Sequence, residues 1–402
     1  MSTRGWLVAA GALLLGLAAG AGGGLYADQQ YPDSVPVLGF HVAPGQIDTG
    51  SYQQAIRVLR AHYYDSKLDY GKLSQGSIKG MVDSLGDPYS RYLSPDQFKN
   101  EQLDLQGKHT GLIGVTVNFD GEYPVIASIL PNSPAQKAGV EGGDVILTIG
   151  GKDAHGLKAD AASALIRGPQ GSAVELGLRR SGQLVTVTVT RDQFISPSVV
   201  SQRLEGEVLY IRIYQFGDAT AAQFDQQLKA GLPGAKGVVL DLRDNPGGLV
   251  SAAANVLSQF ISSGELFEVR DSGGHIDRTV PSGDHPATSV PLYVLLNGSS
   301  ASASEIVSGS LQQRARGTLV GAKSFGKGSV QVDYQLSDGS DLHLTVQHWF
   351  LADGRSVIKN PLIPDQAVTL AKPTDMYDVA EPAHGHSADS QLNRALELIA
   401  AR

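Results

Sequence analysis

The chain has 402 residues, 42% of them hydrophobic, which predicts two or three domains with a sizeable core. Its formal net charge of −8 argues against a nucleic-acid-binding surface. The absence of cysteine excludes a thiol nucleophile, disulfide bonds and a thiolate metal site, and it suits an oxidising compartment without fixing one.

The N-terminus has the pattern of an export signal. Residues 5–27 follow Arg4, carry no charge and include the small-residue run Ala19–Ala21. The stretch is also long enough to span a bilayer uncut, and a buried helix of the folded body is a further alternative. We favour a membrane anchor over a cleaved signal because the glycines make the cleavage region loose. Either way, the body from near Asp28 is expected outside the cytoplasm, in a periplasm or cell envelope.

A linker and a helical region come next. Residues 28–48 are rich in proline, glycine and aspartate and show no hydrophobic period. From 50 to 106 the pattern is helical, as in YQQAIRVLRAHYYDS. The last helix is predicted to begin after Ser94, a favourable N-cap that precedes Pro95.

Residues 107–192 form a β-rich module with a pattern of its own. Two predicted strands flank Asp120–Gly121, and another pair flanks Ser181–Gly182. Between the pairs lie a short capped helix in NSPAQKAG and a longer helix, KADAASALIRG, that ends at Gly168.

Residues 193–373 alternate strands and helices, from VLYIRIYQF and KGVVLDLRD to VPLYVLLN, SASEIVSGSLQQR and DLHLTVQHWFLA. Such alternation predicts an α/β layered core. The tail, residues 374–402, contains a last amphipathic helix, SQLNRALELIAAR. The helices at both ends of the body are candidates for homo-oligomerisation because their apolar faces need cover, and packing on their own body is the alternative.

Ser302 lies where an apolar strand, residues 291–296, gives way to a helix. At such a junction a hydroxyl can point away from the sheet, and the free N–H groups of the first helical turn favour negative charge. This is the physical setting of a nucleophilic serine, although the G-x-S-x-G spacing is absent. The alternative is that Ser300, Ser302 and Ser304 only cap the helix.

A nucleophilic serine needs a base, and Lys327 is a candidate. It stands between Gly326 and Gly328 in SFGKGSVQ, where the backbone leaves room for a substrate. Burial would lower its pKa enough for it to accept a proton, as in Ser–Lys variants of the triad. A turn lysine that points to solvent is the alternative. Gln331 is expected on the same face of the strand, either to orient the lysine or to fill a core position.

The turn NPGG, residues 245–248, follows another apolar strand. Backbone N–H groups exposed at such a turn bind anions, which in acyl transfer means the oxyanion. A βα turn that uses glycine only for its geometry is the alternative. A phosphate loop is disfavoured because neither G-x-x-x-x-G-K-[ST] nor G-x-G-x-x-G occurs there.

Four features in this order resemble the carboxy-terminal processing proteases, also called tail-specific proteases. They are LGDPYSRYLSPDQF, the module at 107–192, LDLRDNPGG, and GSSASASEI followed by FGKGSVQ. The module is similar to a PDZ domain, with GLIGV and NSPAQKAGVEGGDVI as its signatures. Each motif alone is weak, whereas the shared order over roughly residues 50–370 makes the resemblance specific.

The resemblance implies a multidomain α/β and α+β fold with an N-terminal helical segment, a PDZ domain and an α/β layered serine-protease core. It implies an endopeptidase that uses a Ser–Lys dyad and no metal or cofactor. Ser302 corresponds to the nucleophile, Lys327 to the general base and Gln331 to the residue that supports the base. Backbone N–H groups of Gly248 and Ala303 would form the oxyanion hole, with the neighbouring glycine of the turn as an alternative to Gly248.

The same resemblance assigns substrate binding to the PDZ module. The loop Gly111, Leu112, Ile113 and Gly114 would hold the C-terminal carboxylate of a protein or peptide substrate, whose tail adds as a β-strand. Arg167, at the end of the module's longer helix, would couple the module to the active site. The expected partners are therefore protein C-termini, and the membrane through residues 5–27.

Two departures from the family pattern lie outside this chemistry. Asp244 stands where asparagine is common, and residues 361–365 read PLIPD where G-[IV]-x-P-D is usual.

Three other functions compete with this interpretation. An inactive PDZ-containing peptide-binding scaffold is the first, and an α/β small-molecule binder is the least favoured. A Ser-His-Asp hydrolase would need a histidine as base, and no feature of the sequence selects one of His275, His285, His343 and His348.

Overall fold

The computed structural model describes residues 49–402 except 66, 120, 373–374 and 380–384. The predicted export segment and linker, residues 1–48, lie outside the described residues. Within the described part of the chain, no helix has both the length and the apolar character that crossing a bilayer requires. The described part of the chain divides into two units, with the boundary between Ser77 and Ile78.

The region before the PDZ-like module contains three helices and a short strand. Ser94 caps the third helix as predicted, because its hydroxyl accepts from the N–H of Gln97 while the Gln97 side chain accepts from the N–H of Ser94. The expectation of helices alone over 50–106 is wrong at Arg91–Leu93, which is a strand of the core's second sheet. The elements are α1 (Thr49–His62), α2 (Tyr70–Asp83), β1 (Arg91–Leu93) and α3 (Pro95–Leu105).

The PDZ-like module folds around its own sheet, with neighbouring strands in the order β3-β4-β5-β7-β8. Ser181 and Gly182, at the predicted hairpin turn, both have positive φ, as a two-residue hairpin loop requires. The elements are β2 (Lys108–Leu112), β3 (Val115–Asn118), β4 (Val125–Ile129), α4 (Pro134–Lys137), β5 (Val145–Ile149), β6 (Lys152–Asp153), α5 (Ala159–Ile166), β7 (Ala173–Arg180), β8 (Gln183–Thr190) and β9 (Asp192–Ile195).

The α/β core follows and is the larger part of the second unit. Its elements are β10 (Val199–Leu204), β11 (Val208–Ile213), α6 (Thr220–Gly231), β12 (Gly237–Asp241), α7 (Val250–Ser258), β13 (Phe267–Asp271), β14 (Ile276–Thr279), β15 (Leu292–Leu296), α8 (Ala303–Gln313), β16 (Thr318–Gly321), β17 (Ser329–Gln335), β18 (Asp341–Leu351), β19 (Gln366–Ala367) and α9 (Ser390–Ala400).

The main sheet of the core has the order β10-β11-β12-β15-β16-β19 and is parallel from β11 onward. Alternate residues of its strands face opposite layers. On β11, Leu209 and Ile211 join the cluster that contains α6, α7 and α8, whereas Val208 and Tyr210 join the cluster that contains α9. The multidomain α/β and α+β fold is therefore confirmed.

The last helix completes the main sheet. Leu392 and Ile399 of α9 are buried against it, so this helix packs on its own body. The tail also supplies counter-ions to two fully buried guanidinium groups. Arg243 Nη2 lies 2.8 Å from Asp389 Oδ2, and Arg212 Nη1 lies 3.4 Å from Asp378 Oδ2.

The lysine of the predicted dyad is followed by strands of a second sheet. This sheet has the order β1-β18-β13-β14, and β17 pairs with β18. The strand before Ser302, β15, belongs to the main sheet. The candidate site is therefore assembled from the end of one sheet and the edge of another.

Candidate active site

Ser302 occupies a strained junction at the beginning of α8. Its backbone has φ 54° and ψ −115°, a combination that costs a non-glycine residue about 1–3 kcal/mol and persists only where the surroundings enforce it. Only 9% of the residue is exposed. This geometry is typical of a strand-to-helix turn that presents a nucleophile.

The two neighbouring serines have structural hydrogen bonds. Ser300 Oγ donates to the carbonyl of Leu242 at 2.8 Å, and Ser304 Oγ donates to the carbonyl of Asn245 at 3.0 Å. These bonds fix the Ser302 turn to the chain that leads into and through the NPGG turn. Among the described residues, Ser302 Oγ donates no hydrogen bond to a protein group, so it is the one of the three hydroxyls left for a substrate.

The NPGG turn is held by its asparagine and packs against Ser302. Asn245 Nδ2 donates to the carbonyl of Ile213 at 2.8 Å, and Asn245 Oδ1 accepts from the N–H of Gly247 at 2.9 Å. A Cβ on Gly247 would lie 2.7 Å from Ser302 Cβ, and one on Gly248 would lie 2.2 Å from the carbonyl oxygen of Phe216. Both positions therefore require glycine.

Two backbone N–H groups at this junction are unused. The N–H of Gly247 is bonded to Asn245, whereas those of Gly248 and Ala303 have no acceptor among the described residues. Gly248 has φ 135°, a conformation open to glycine. Free N–H donors beside a serine are the geometry that binds an oxyanion.

Glu305 joins the serine turn to the lysine loop, and the sequence reasoning missed it. Its carboxylate accepts from the N–H groups of Ser302 (3.0 Å), Gly326 (2.7 Å) and Lys327 (2.8 Å), and from Ser324 Oγ (2.5 Å). Burial raises the pKa of Glu305, and these hydrogen bonds oppose the rise. The signal in the sequence was the spacing S-x-x-E, which marks a capping box at a helix start.

Lys327 is half-buried, and its Nζ lies 4.9 Å from the centroid of the Tyr89 ring. Burial lowers the pKa of Lys327, and the positive charge of Arg91 lowers it further. Within the described residues no hydrogen bond joins Lys327 Nζ to Ser302 Oγ. The structure thus brings the backbones of the two residues to one carboxylate without joining their side chains.

Gln331 is bonded within its own sheet and not to the lysine. The register between β17 and β18 shifts between Val330 and Gln331, where β18 carries one extra residue, Val346. The Gln331 amide donates to Ser329 Oγ at 2.9 Å and to Thr345 Oγ1 at 3.0 Å. No bond between Gln331 and Lys327 is present among the described residues.

Three of the four candidate histidines have partners elsewhere. His275 pairs with Asp277, His285 Nδ1 lies 2.5 Å from the carbonyl of Ser258, and His343 pairs with Asp333. No histidine among the described residues is hydrogen-bonded to Ser302. This geometry disfavours a Ser-His-Asp arrangement.

The PDZ-like module contains a groove of about 320 Å³ between β3 and α5. The predicted carboxylate loop lies at one end: Leu112, Ile113 and Gly114 line the groove, and the carbonyl of Gly111 accepts from the N–H of Gly168 at 3.1 Å. The N–H groups of Ile113 and Gly114 have no acceptor among the described residues. The apolar residues along the groove are Val115, Val117, Phe119, Leu130, Ala159 and Ile166.

Asp104 of α3 stands at the rim of this groove. Its carboxylate lies 2.8 Å from His109 Nδ1 and 3.5 Å from Arg167 Nη2, and its carbonyl accepts from Gln215 Nε2 of the core at 2.7 Å. The sequence singled out Arg167 but gave no sign of Asp104. A carboxylate thus already faces the groove where a substrate carboxylate is expected.

Known families and proteins are similar to this chain. Residues 207–368 match the model of peptidase family S41, residues 125–180 that of the PDZ domain, and residues 45–97 that of the activating protease CtpB N-terminal domain. The chain is 35% identical over 77% of its length to the carboxy-terminal processing protease CtpA of Bacillus subtilis, covering 67% of that protein. It is 36% identical, again over 77% of its length, to a carboxy-terminal-processing protease of Bartonella bacilliformis, covering 73% of it.

A solved structure is also similar. The photosystem II D1 C-terminal processing protease superposes with a TM-score of 0.60 at 28% identity, over 86% of this chain and 99% of that one. With the family models and relatives, this shows that the chain belongs to the carboxy-terminal processing proteases of peptidase family S41, serine-type peptidases, and carries a PDZ domain.

Proposed function

We propose that the chain is an exported endopeptidase that cleaves proteins near or from their C-termini with Ser302 as nucleophile and Lys327 as general base. The observation that carries the proposal is the hydrogen bonding of the hydroxyls of Ser300, Ser302 and Ser304. The hydroxyls of Ser300 and Ser304 are bonded to backbone carbonyls, whereas Ser302 is held in a strained turn beside unused N–H groups.

The proposed reaction begins when neutral Lys327 takes the proton of Ser302 Oγ and Oγ attacks the substrate carbonyl carbon. The N–H groups of Gly248 and Ala303 stabilise the oxyanion. Lys327 then protonates the leaving amine, and water releases the acyl group. Burial favours the neutral lysine that this chemistry requires. Lys327 Nζ must first move into reach of Ser302 Oγ, with Gln331 supporting it after a change of amide partners.

The PDZ domain is proposed to bind the substrate tail. The carboxylate would accept hydrogen bonds from the free N–H groups of Ile113 and Gly114, and the tail would pair with β3 as an added strand. Those side chains of the substrate tail that face the groove would contact its apolar lining, so we expect apolar tails to bind best.

The dyad is tested with Ser302→Ala and Lys327→Ala, assayed on an unfolded peptide with an apolar tail. Each variant should lose at least about a thousandfold in kcat, with an unchanged unfolding midpoint. Ser299→Ala in the same turn and Lys323→Ala in the same loop are matched controls that should keep activity. Cleavage by Ser302→Ala would refute the proposal, whereas an inactive wild-type chain that still binds tails would favour a peptide-binding scaffold.

Export is tested separately on the full chain. The uncharged stretch at residues 5–27 supports it, since such a stretch directs a chain to a membrane. Fractionation of cells should place the chain outside the cytoplasm, and N-terminal sequencing would distinguish an uncut anchor from cleavage near Ala21. Recovery of the full chain in the cytoplasm alone would contradict this part of the proposal.

A further inference from the structure

The motif DPYSRY, residues 87–92, has no part in the chemistry proposed above, yet it packs against the lysine. Ser90 Oγ donates to the Asp87 carboxylate at 2.6 Å and accepts from the N–H of Thr345 on β18 at 3.0 Å. Immediately afterwards, β1 pairs with the same strand. Tyr89 is therefore held in place from both sides.

The Tyr89 ring is the partner of the lysine side chain. Lys327 Nζ lies 4.9 Å from the ring centroid, within the range of a cation–π contact. An ammonium has three donors, and among the described residues none of them has a hydrogen-bond acceptor. Burial raises the pKa of the Tyr89 hydroxyl, as do the charges of Glu305 and Asp87, so the ring is that of a neutral phenol.

This contact favours the wrong state of a general base. A cation–π contact stabilises protonated lysine, whereas proton abstraction requires a neutral amine within reach of Ser302 Oγ. Gln331, which would support the lysine, is bonded to Ser329 and Thr345 instead. The lysine and the glutamine therefore both have other partners in the resting enzyme.

We propose that Tyr89 is a positioning residue that holds the protonated Lys327 side chain away from Ser302 in the resting enzyme and releases it when substrate binds. The inference rests on the proposed dyad. The charged groups that face Lys327 are Arg91, Glu101, Asp87 and Glu305. They are retained in the variants below, so the ring is the one feature that changes.

The test compares Tyr89→Leu, which removes the ring but keeps an apolar wall, with Tyr89→Phe, which keeps the ring. A small fluorophosphonate that labels Ser302 is used because it does not depend on the PDZ groove. At pH 7 the leucine variant should be labelled about three- to tenfold faster than the phenylalanine variant, with the midpoint of its pH profile about 0.5–1 unit lower. Its kcat on a peptide should rise similarly while KM stays unchanged.

A second measurement does not require activity. In a Ser302→Ala background, NMR titration of ¹³C-methylated Lys327 should give a lower pKa in the Tyr89→Leu variant than in the Tyr89→Phe variant, by about 0.5–1 unit. Equal pKa values, or slower labelling of Tyr89→Leu, would overturn the inference and leave the ring as a wall that excludes water. Labelling of Lys327→Ala at the wild-type rate would instead refute the dyad itself.

Discussion

The PDZ groove and the proposed catalytic turn, which is formed by residues 245–248 and 300–305, both present free backbone N–H groups, but in different surroundings. In the groove these N–H groups belong to Ile113 and Gly114, and in the turn they belong to Gly248 and to Ala303 at the beginning of α8. The catalytic turn is fixed by buried hydrogen bonds, whereas the groove is tied to α3 by a contact in which Asp104 is 29% and Arg167 41% exposed. Stabilising a transition state needs fixed donors, whereas delivering a substrate tolerates a weak tether.

Removing the buried carboxylate of the catalytic turn should have the largest effect. Glu305→Ala leaves the N–H groups of Ser302, Gly326 and Lys327 without an acceptor, so we expect about a thousandfold loss of kcat and about 3 kcal/mol of stability. Glu305→Gln keeps one acceptor oxygen and should be intermediate. Peptide cleavage measures kcat, and urea unfolding measures stability. A near-normal kcat in Glu305→Ala would show that the turn does not depend on its buried hydrogen bonds.

Gly248→Ala should have the second-largest effect on kcat. The added Cβ would lie 2.2 Å from the carbonyl oxygen of Phe216 at a φ of 135°, so the turn and its N–H must shift. We expect at least about a hundredfold loss of kcat, the scale on which one oxyanion donor acts. Gly298→Ala, where no atom lies within 4 Å of the new Cβ, is the matched control and should keep wild-type kcat.

The buried carboxyl group of Asp341 should destabilise the core when it is charged. Burial and the charge of Asp333 raise the pKa of Asp341 from 3.8 to about 6, and His343 and Glu101 are the other charges that act on it. A raised pKa means that its contribution to stability is complete below pH 3.8 and is lost as the pH rises through 6. Asp341→Asn should therefore be about 2 kcal/mol more stable than wild type at pH 7.5, with the difference shrinking by pH 4.5 in urea unfolding.

The smallest effect is expected at the rim of the groove. Asp104→Asn removes the carboxylate that faces Arg167, so a substrate carboxylate would meet less repulsion there. We expect KM for a peptide with a free C-terminus to fall about two- to fivefold with kcat unchanged. The same peptide with an amidated C-terminus is the control, and an equal change in its KM would show that the effect is not on the carboxylate.

Local patterns made much of the fold predictable. The Ser94 cap and the turn at Ser181 and Gly182 depend on neighbours in sequence, and both are confirmed. The strand Arg91–Leu93 was missed because three residues between a turn and a helix cap carry no period, and its partner strand begins at Asp341.

The candidate site was likewise predictable only in part. Motif order identified Ser302 and Lys327 as candidates, and their chemical roles stay predictions. The bonds of Glu305 to the lysine loop, the place of Tyr89 and the partners of Gln331 depend on how the serine turn, the segment before β1 and β18 pack around the lysine loop. No spacing along the chain encodes these contacts, because each joins segments that become neighbours only on folding.

The buried arginines couple the main sheet to a distant segment of the chain. Arg212 Nη1 lies 3.4 Å from Asp378 Oδ2, and Arg243 lies between Asp241, at the end of β12, and Asp389, which precedes α9. Burying a guanidinium without its partner is strongly unfavourable. Removal of the segment that carries Asp378 and Asp389 would leave Arg243 with Asp241 alone and would take from Arg212 its ion-pair partner. The main sheet, and with it the strand that leads to Ser302, should therefore depend on a segment that lies outside the chemistry proposed for the site.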